Sequence, residues 1–149
     1  MTELRVEQLV MPAADLGGEN ALTPLRGYET ASNAGAPDAA GRDVDYPDRG
    51  REASILPYRL QDQYDRRRSP RAFKALVVEN QHLKATFLPE VGGRLWSLVH
   101  KPARQELLYV NPVFQPANLA VRDAWFTGGV EWNISIIGHC PLTCSPLLS

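Results

Sequence analysis

Residues 83–100 decide the fold class, because they hold two segments in which apolar and polar residues alternate, one before and one after a glycine turn. They read Leu83-Lys84-Ala85-Thr86-Phe87-Leu88, then Pro89-Glu90-Val91-Gly92-Gly93, then Arg94-Leu95-Trp96-Ser97-Leu98-Val99-His100. A period of two is typical of a strand, and Pro and Gly interrupt regular structure. The stretch predicts strands at 83–88 and 94–100, the second with Arg94, Trp96 and Leu98 on one face.

Further strands follow on both sides of this stretch. Residues 72–79 predict a strand that turns at Asn80-Gln81, and residues 107–110 predict another after a turn at 101–105. Four short strands about ten residues apart favour an antiparallel meander from a sandwich or barrel. Residues 4–10 predict a separate first strand, and residues 118–124 supply at most one helical turn. The predicted fold class is all-β.

Composition excludes several classes of function. The chain has 149 residues, with 16 basic and 17 acidic side chains and a net charge of −1. This balance argues against nucleic-acid binding, which needs a basic face. No apolar run approaches the roughly 20 residues that span a bilayer, and the first residues do not resemble a secretory signal. We expect a cytoplasmic protein with reduced thiols and no membrane partner.

The chain divides into three parts. Residues 1–16 hold the first strand, and residues 17–54 predict a flexible loop or arm, rich in Ala, Gly, Asp and Pro, with Leu25, Tyr28 and Tyr46 as anchors. Residues 55–149 hold the meander. A meander of this size needs a second sheet over its apolar face, so the sequence predicts the truncated front part of a larger β domain.

Several motifs in the second half resemble one family. They are Leu56-Pro57-Tyr58, Val78-Glu79-Asn80, Leu88-Pro89-Glu90-Val91-Gly92-Gly93-Arg94-Leu95-Trp96-Ser97-Leu98, Leu107-Leu108-Tyr109-Val110-Asn111-Pro112 and Gly128-Gly129-Val130-Glu131-Trp132-Asn133. Their order is similar to the N-terminal part of domain of unknown function 5107, which often precedes tetratricopeptide repeats in bacterial proteins. The resemblance covers residues 55–149, and the first strand loosely.

The resemblance implies a function in sugar handling. The family looks related to the galactose-mutarotase-like supersandwich, so we expect a carbohydrate-binding or carbohydrate-processing domain, here an N-terminal fragment without a complete active site. If the intact protein is an enzyme, the resemblance implies glycoside hydrolysis or sugar epimerisation. The alternative is a non-catalytic module that docks a protein partner or its own repeat domain.

The densest group of candidate site residues follows Asp123. Sugar recognition uses flat aromatic faces together with carboxylates, amides and guanidinium groups. Trp125, Glu131, Trp132 and Asn133 are of these types, Gly128-Gly129 permits close approach, and Arg94 completes the predicted binding set with His139. If residues 130–134 were extended, Glu131 and Asn133 would share a face and Trp132 would take the other. In the structural alternative both tryptophans are core and Glu131 pairs with a buried arginine such as Arg94.

Glu131 is the candidate general acid or base. Hydrolysis by the usual route needs a second carboxylate, and Asp123, Glu90 or a residue beyond 149 are the candidates. The resemblance leads us to expect Asn at position 123, which weakens Asp123. Glu90 and Arg94 flank the glycine turn, where a structural ion pair is the alternative to catalysis.

A metal site is the other chemistry to weigh near the end of the chain. His139, Cys140 and Cys144 are soft ligands, but their spacing matches no specific zinc pattern. We therefore predict no metal and no cofactor, and assign His139 to a sugar hydroxyl.

Overall fold

The structure, a computed structural model, describes residues 1–22, 25–26, 54–55, 58–120, 123–133 and 142–147. This part of the chain is all-β, as predicted, and holds nine strands and no helix. The strands are β1 (Glu3–Ala14), β2 (Leu25–Arg26), β3 (Ser54–Ile55), β4 (Arg68–Glu79), β5 (Leu83–Leu88), β6 (Arg94–His100), β7 (Gln105–Glu106), β8 (Ala117–Ala120) and β9 (Asp123–Trp125). In the described ranges no helix is long and apolar enough to cross a membrane.

The main sheet has five strands in the order β1-β4-β5-β6-β7. Each neighbouring pair is antiparallel, so the predicted meander is confirmed. Asn80 makes the turn between β4 and β5, because its side-chain oxygen accepts hydrogen bonds from the backbone N–H groups of His82 (2.8 Å) and Leu83 (2.9 Å). An asparagine in this role forms an Asx turn.

The strand predicted at 107–110 is wrong, and Glu106 explains why. The carboxylate of Glu106 accepts hydrogen bonds from the backbone N–H groups of Leu98 (2.9 Å) and Leu108 (3.1 Å) and from the Ser97 hydroxyl (2.5 Å). It therefore satisfies a backbone donor of β6 that a longer β7 would have used, and β7 ends at Glu106.

The helical turn expected at 118–124 is also wrong. The described residues of this stretch lie in β8 and β9, which pair antiparallel, with Ala117 opposite Trp125 and Asn118 opposite Ala124. Ala124 and Phe126 are buried while Trp125 between them is half-buried, which is the period of a strand. The Tyr64 hydroxyl also donates a hydrogen bond to the Asn118 side chain (2.5 Å).

The core lies on one face of the main sheet. Aromatic rings dominate it: Phe114 lies 4.7 Å from Phe126 and 5.6 Å from Phe73, and Trp96 lies 5.9 Å from Phe126, centroid to centroid. Leu88 and Val91 are fully buried beside them. Burying one such side chain contributes roughly 1.5–3 kcal/mol, so this cluster holds the sheet to the later segments of the chain.

The chain forms two compact units, residues 1–20 with 60–149, and residues 21–59. In the second unit β2 and β3 pair antiparallel, with Leu25 opposite Ile55 and Arg26 opposite Ser54. Most of the predicted arm at 17–54, including Tyr28 and Tyr46, lies outside the described residues. The three-part division of the chain therefore stays a prediction.

Candidate functional site

A pair of glycines places the candidate site against β6. The Gly129 N–H donates to the Tyr109 carbonyl (2.8 Å), and the Val130 N–H donates to the Leu95 carbonyl (2.9 Å). Gly128 and Gly129 have φ of 117° and 65°, and a Cβ at Gly129 would collide with the Leu95 carbonyl. Only glycine fits this approach without strain. Residues 131–133 are thereby fixed beside the start of β6.

Arg94 braces the site from within. The residue is 2% exposed; its Nη1 donates to the Gly128 carbonyl (2.7 Å) and its Nη2 to the Thr143 hydroxyl (2.8 Å). The guanidinium carbon lies 4.0 Å from the centroid of the Phe126 ring. Burial lowers the pKa of Arg94, and the carboxylate charge of Glu131 opposes that shift. Arg94 therefore holds the glycine loop and the segment around Thr143 together.

Glu131 and Trp125 contact one another above this brace. The Trp125 Nε1–H donates to a carboxylate oxygen of Glu131 (2.7 Å), and both residues are half-buried. The Arg94 guanidinium carbon lies 5.9 Å from the centroid of the Trp125 ring. The structural alternative was that Glu131 pairs with a buried arginine such as Arg94; the charge of Glu131 raises the Arg94 pKa, and the pairing itself stays a prediction.

Trp132 is not a core residue. It is 46% exposed, and its Nε1–H donates to the Gly93 carbonyl (2.9 Å). Asn133 beside it is exposed. The extended segment considered at 130–134 is reduced to a single bridge between Leu95 and Val130, and residue 134 lies outside the described residues.

The segment 142–147 closes over the glycine turn of residues 89–93. The Gly92 N–H donates to the Ser145 carbonyl (2.8 Å), and the Leu147 N–H donates to the Pro89 carbonyl (2.9 Å). The Leu147 side chain, 52% exposed, lies against Gly93. Trp132 and Leu147 therefore both contact Gly93 and form the exposed apolar part of the site.

The ion pair expected between Glu90 and Arg94 is wrong. Glu90 instead lies 3.4 Å from the Arg71 guanidinium and accepts a hydrogen bond from the Lys74 N–H (3.0 Å). Arg94 points into the interior, where a carbonyl and a hydroxyl accept hydrogen bonds from its two terminal nitrogens, whereas Glu90 faces β4. Glu90 thus fastens the glycine turn to β4.

Asp123 is the other candidate for the second carboxylate. Its backbone belongs to β9.

The metal hypothesis falls largely on residues that the structure does not describe. His139 and Cys140 lie outside the described ranges, while Cys144 is fully buried. Within those ranges no three His, Cys, Asp or Glu side chains are grouped so as to bind a metal ion. The predicted absence of a metal and the role of His139 stay predictions.

Sequence reasoning missed three residues that build the site. Thr143 and Phe126 contact the Arg94 guanidinium, and the Asn111 side chain donates to the Thr127 carbonyl (3.3 Å) and accepts from the Val113 N–H (3.2 Å). The dipeptide Asn111-Pro112 is a turn signal that marks Asn111. No local pattern marks Thr143, because its partner lies 49 positions away.

Two comparisons with known proteins agree with this architecture. A family model described as "Domain of unknown function (DUF5107)" matches residues 51–149. A crystal structure of a TPR-domain containing protein from Parabacteroides distasonis ATCC 8503 is similar to this chain, with a TM-score of 0.64 and 20% sequence identity over 99% of this chain and 21% of that one. The chain thus spans about a fifth of that protein's length, and the likeness concerns the fold. On the strength of the family match, this chain belongs to the family of domain of unknown function DUF5107.

Proposed function

We propose that this domain binds carbohydrate through Glu131, Trp132 and Asn133. The observation that carries the proposal is Trp132, whose indole is held by a hydrogen bond to the Gly93 carbonyl while 46% of the residue is exposed. An aromatic side chain fixed in this way offers a flat apolar surface with little entropy left to lose. The galactose-mutarotase-like resemblance supports the same class of ligand.

Polar groups beside Trp132 suit the hydroxyls of a sugar. The Trp125 Nε1–H orients the Glu131 carboxylate at 2.7 Å, and a carboxylate has acceptor capacity beyond one hydrogen bond. The exposed Asn133 amide adds both donors and an acceptor. Because the Trp132 N–H already serves Gly93, the indole contributes by stacking against C–H surfaces.

Binding takes precedence over catalysis in this proposal. Glycoside hydrolysis needs two carboxyl groups facing one bond. Glu131 is the candidate acid or base, but Glu90 is engaged with Arg71 and Lys74. If the intact protein hydrolyses or epimerises a sugar, Glu131 acts with a group other than Glu90.

Calorimetry against a glycan panel tests the proposal. We expect one glycan class to bind, Trp132→Ala to raise its Kd at least about tenfold, and Trp132→Phe to retain most of the affinity because it keeps a stacking ring. Leu83→Ala, at a residue 38% exposed on β5, is the matched control and should change nothing. Absence of binding to every glycan, or equal loss with Trp132→Phe and Trp132→Ala, contradicts stacking as the mode of recognition.

A protein-docking module is the second candidate. Leu142 and Leu147, 42% and 52% exposed, lie in the segment that closes over the turn beside Trp132, and the similar solved structure is of a TPR-domain containing protein. Titration with tetratricopeptide-repeat domains from proteins that carry both domains distinguishes the two. Under docking Leu142→Ala weakens repeat binding, whereas under sugar binding, in which Leu142 takes no part, it leaves glycan affinity unchanged. The cytoplasmic location and the absence of nucleic-acid and membrane partners stay predictions from composition.

A further inference from the structure

β1 is the outermost strand of the main sheet in the described part of the chain. Among the described residues, Phe114 occupies one end of its outer edge. The Ala14 N–H donates to the Phe114 carbonyl, and the Phe114 N–H donates to the Pro12 carbonyl, both at 2.9 Å. No other described residue pairs with that edge between Leu4 and Val10.

The contact with Phe114 fixes which backbone groups point outward. In an antiparallel strand the N–H and C=O of one residue point to the same side, and the side alternates along the chain. Since Pro12 and Ala14 point outward, the even-numbered residues from Leu4 to Val10 also point outward, and the odd-numbered residues bond to β4. Four consecutive outward residues thus present their N–H and C=O groups at an open edge.

Three of these four residues carry exposed apolar side chains, and the fourth is Gln8. Leu4, Val6 and Val10 are 68%, 62% and 61% exposed. A long edge strand with exposed apolar side chains is a template for pairing with another strand. Neither lysine nor proline occurs between Leu4 and Val10, and the charged side chains of that stretch are Arg5 and Glu7, which carry opposite charges and can pair across a two-fold axis.

We propose that β1 pairs antiparallel with β1 of a second copy of this chain, with Val6 opposite the partner's Val6 on a two-fold axis. Outward residues must face outward residues, which limits the register to steps of two. The proposed register places Arg5 opposite the partner's Glu7, and Glu7 opposite the partner's Arg5. The two adjacent registers place Arg5 opposite the partner's Arg5, or Glu7 opposite the partner's Glu7, and like charges directly opposite are destabilising.

The two charges already stand in position for this pairing. The Arg5 Nε lies 2.5 Å from the Glu7 carboxylate and the Arg5 Nη2 lies 2.6 Å from that of Glu79. The side chains of Arg5 and Glu7 remain 30% and 41% exposed. Across the axis they form an alternating set of four charges, and the two sheets join into one.

Sedimentation of the full chain over a range of concentrations tests the proposal through Val6. We expect a monomer–dimer equilibrium, and Val6→Pro should raise the dimer Kd about 30-fold because two hydrogen bonds are lost per dimer. The Val6 N–H points away from β4, so no bond within the subunit is lost, and Pro12 shows that β1 tolerates proline at an outward position. Val6→Thr keeps the N–H and the shape, and should remain dimeric. A chain that is monomeric throughout, or a dimer indifferent to Val6→Pro, overturns the proposal.

Charge reversal tests the register. Glu7→Arg alone and Arg5→Glu alone each set like charges opposite one another, so each variant should be monomeric. Mixed together they set Arg opposite Glu in both cross-strand pairs, so the mixture should form a heterodimer. Melting curves establish that each variant is folded. Glu7→Arg keeps the hydrogen bond between Arg5 and Glu79. If Arg5→Glu does not fold, Glu7→Arg and Val6→Pro together still test the proposal. Homodimers of Glu7→Arg as tight as the parent overturn the register.

Discussion

Arg94 is a buried arginine, and charged side chains are seldom fully buried. Burying a guanidinium costs free energy, and hydrogen bonds from its donors offset that cost. Here Nη1 and Nη2 donate to Gly128 and Thr143, and the ring of Phe126 covers the cation at 4.0 Å. The third nitrogen, Nε, has no hydrogen-bond partner in the described structure, so part of the cost is not offset. The residue links β6 to two distant segments, so its removal affects the candidate site and the core together.

Arg94→Ala should lower the free energy of unfolding by about 3 kcal/mol, because it empties a buried volume and leaves the Gly128 carbonyl and the Thr143 hydroxyl unpaired. Arg94→Lys should recover only part of this, since one ammonium does not reproduce a planar fork. Urea unfolding measures both. Arg68→Ala, at an exposed position of β4, is the control and should change the value by less than about 0.5 kcal/mol. If Arg94→Ala and the parent have the same free energy of unfolding, Arg94 does not stabilise the link between these segments.

The strands differed in how readily the sequence predicted them. β5 and β6 were predicted with their observed bounds, because each alternates, and the asparagine turn before β5 and the glycine turn between the two strands mark where they begin and end. β4 begins at Arg68, four residues before its predicted start, because residues 68–71 pair with the end of β1 although they look like a charged loop. The predictions of a strand at 107–110 and of a helical turn at 118–124 were wrong. In the first case the Glu106 carboxylate ends β7. In the second, Ala124 and Phe126 are buried in a core formed with residues far away in the chain.

The candidate site was predictable in composition but not in arrangement. Trp125, Glu131 and Trp132 were chosen for their chemistry, and they lie together beside β6. The braces Thr143 and Asn111 were not chosen, because their contacts join segments far apart in the chain. Local patterns report periodicity and turns, whereas such contacts depend on the folded sheet.

The end of β4 carries a charge network that makes stability depend on pH. Hydrogen bonds from Lys101 (2.5 Å) and then Arg5 (2.6 Å) lower the pKa of Glu79 from 4.5 to about 2. A lowered folded-state pKa stabilises the protein above the unfolded value, and this contribution disappears as the pH falls towards 2.

Comparison with Glu79→Gln isolates that contribution. The melting temperature of the parent should exceed that of Glu79→Gln at neutral pH, and the difference should shrink between about pH 4.5 and 2. Hydrogen bonds to Glu106 from Ser97, Leu98, Leu108 and Leu107 outweigh its desolvation and lower the pKa of that group as well; both proteins share that effect, so it cancels in the difference. A difference that does not change with pH contradicts the assignment to Glu79.

For the whole molecule, the division into two units has a direct test. The described members of the buried core cluster all belong to the unit of residues 1–20 and 60–149. Arg26 lies opposite Ser54 in an antiparallel pair, so an Asn-Gly hairpin turn can join them in place of residues 27–53.

The shortened chain should melt cooperatively, with a free energy of unfolding higher by about 0.6 kcal/mol, because the connection between β1 and β4 is roughly halved. Circular dichroism and urea unfolding measure this. A cooperative melt lost on shortening would mean that residues 27–53 contribute to the core, against the predicted arm.

The pairing of β1 with β4 also sets a delay during synthesis. Ala14 pairs with Arg68 and Glu3 pairs with Glu79, and these partners are synthesised 54 and 76 residues later. At ribosomal speeds of about 5–20 residues per second, β1 is made roughly 3–15 s before its partner. During that interval the strand that carries Leu4, Val6 and Val10 has no sheet to join. We therefore expect chaperones to bind the nascent chain before it folds.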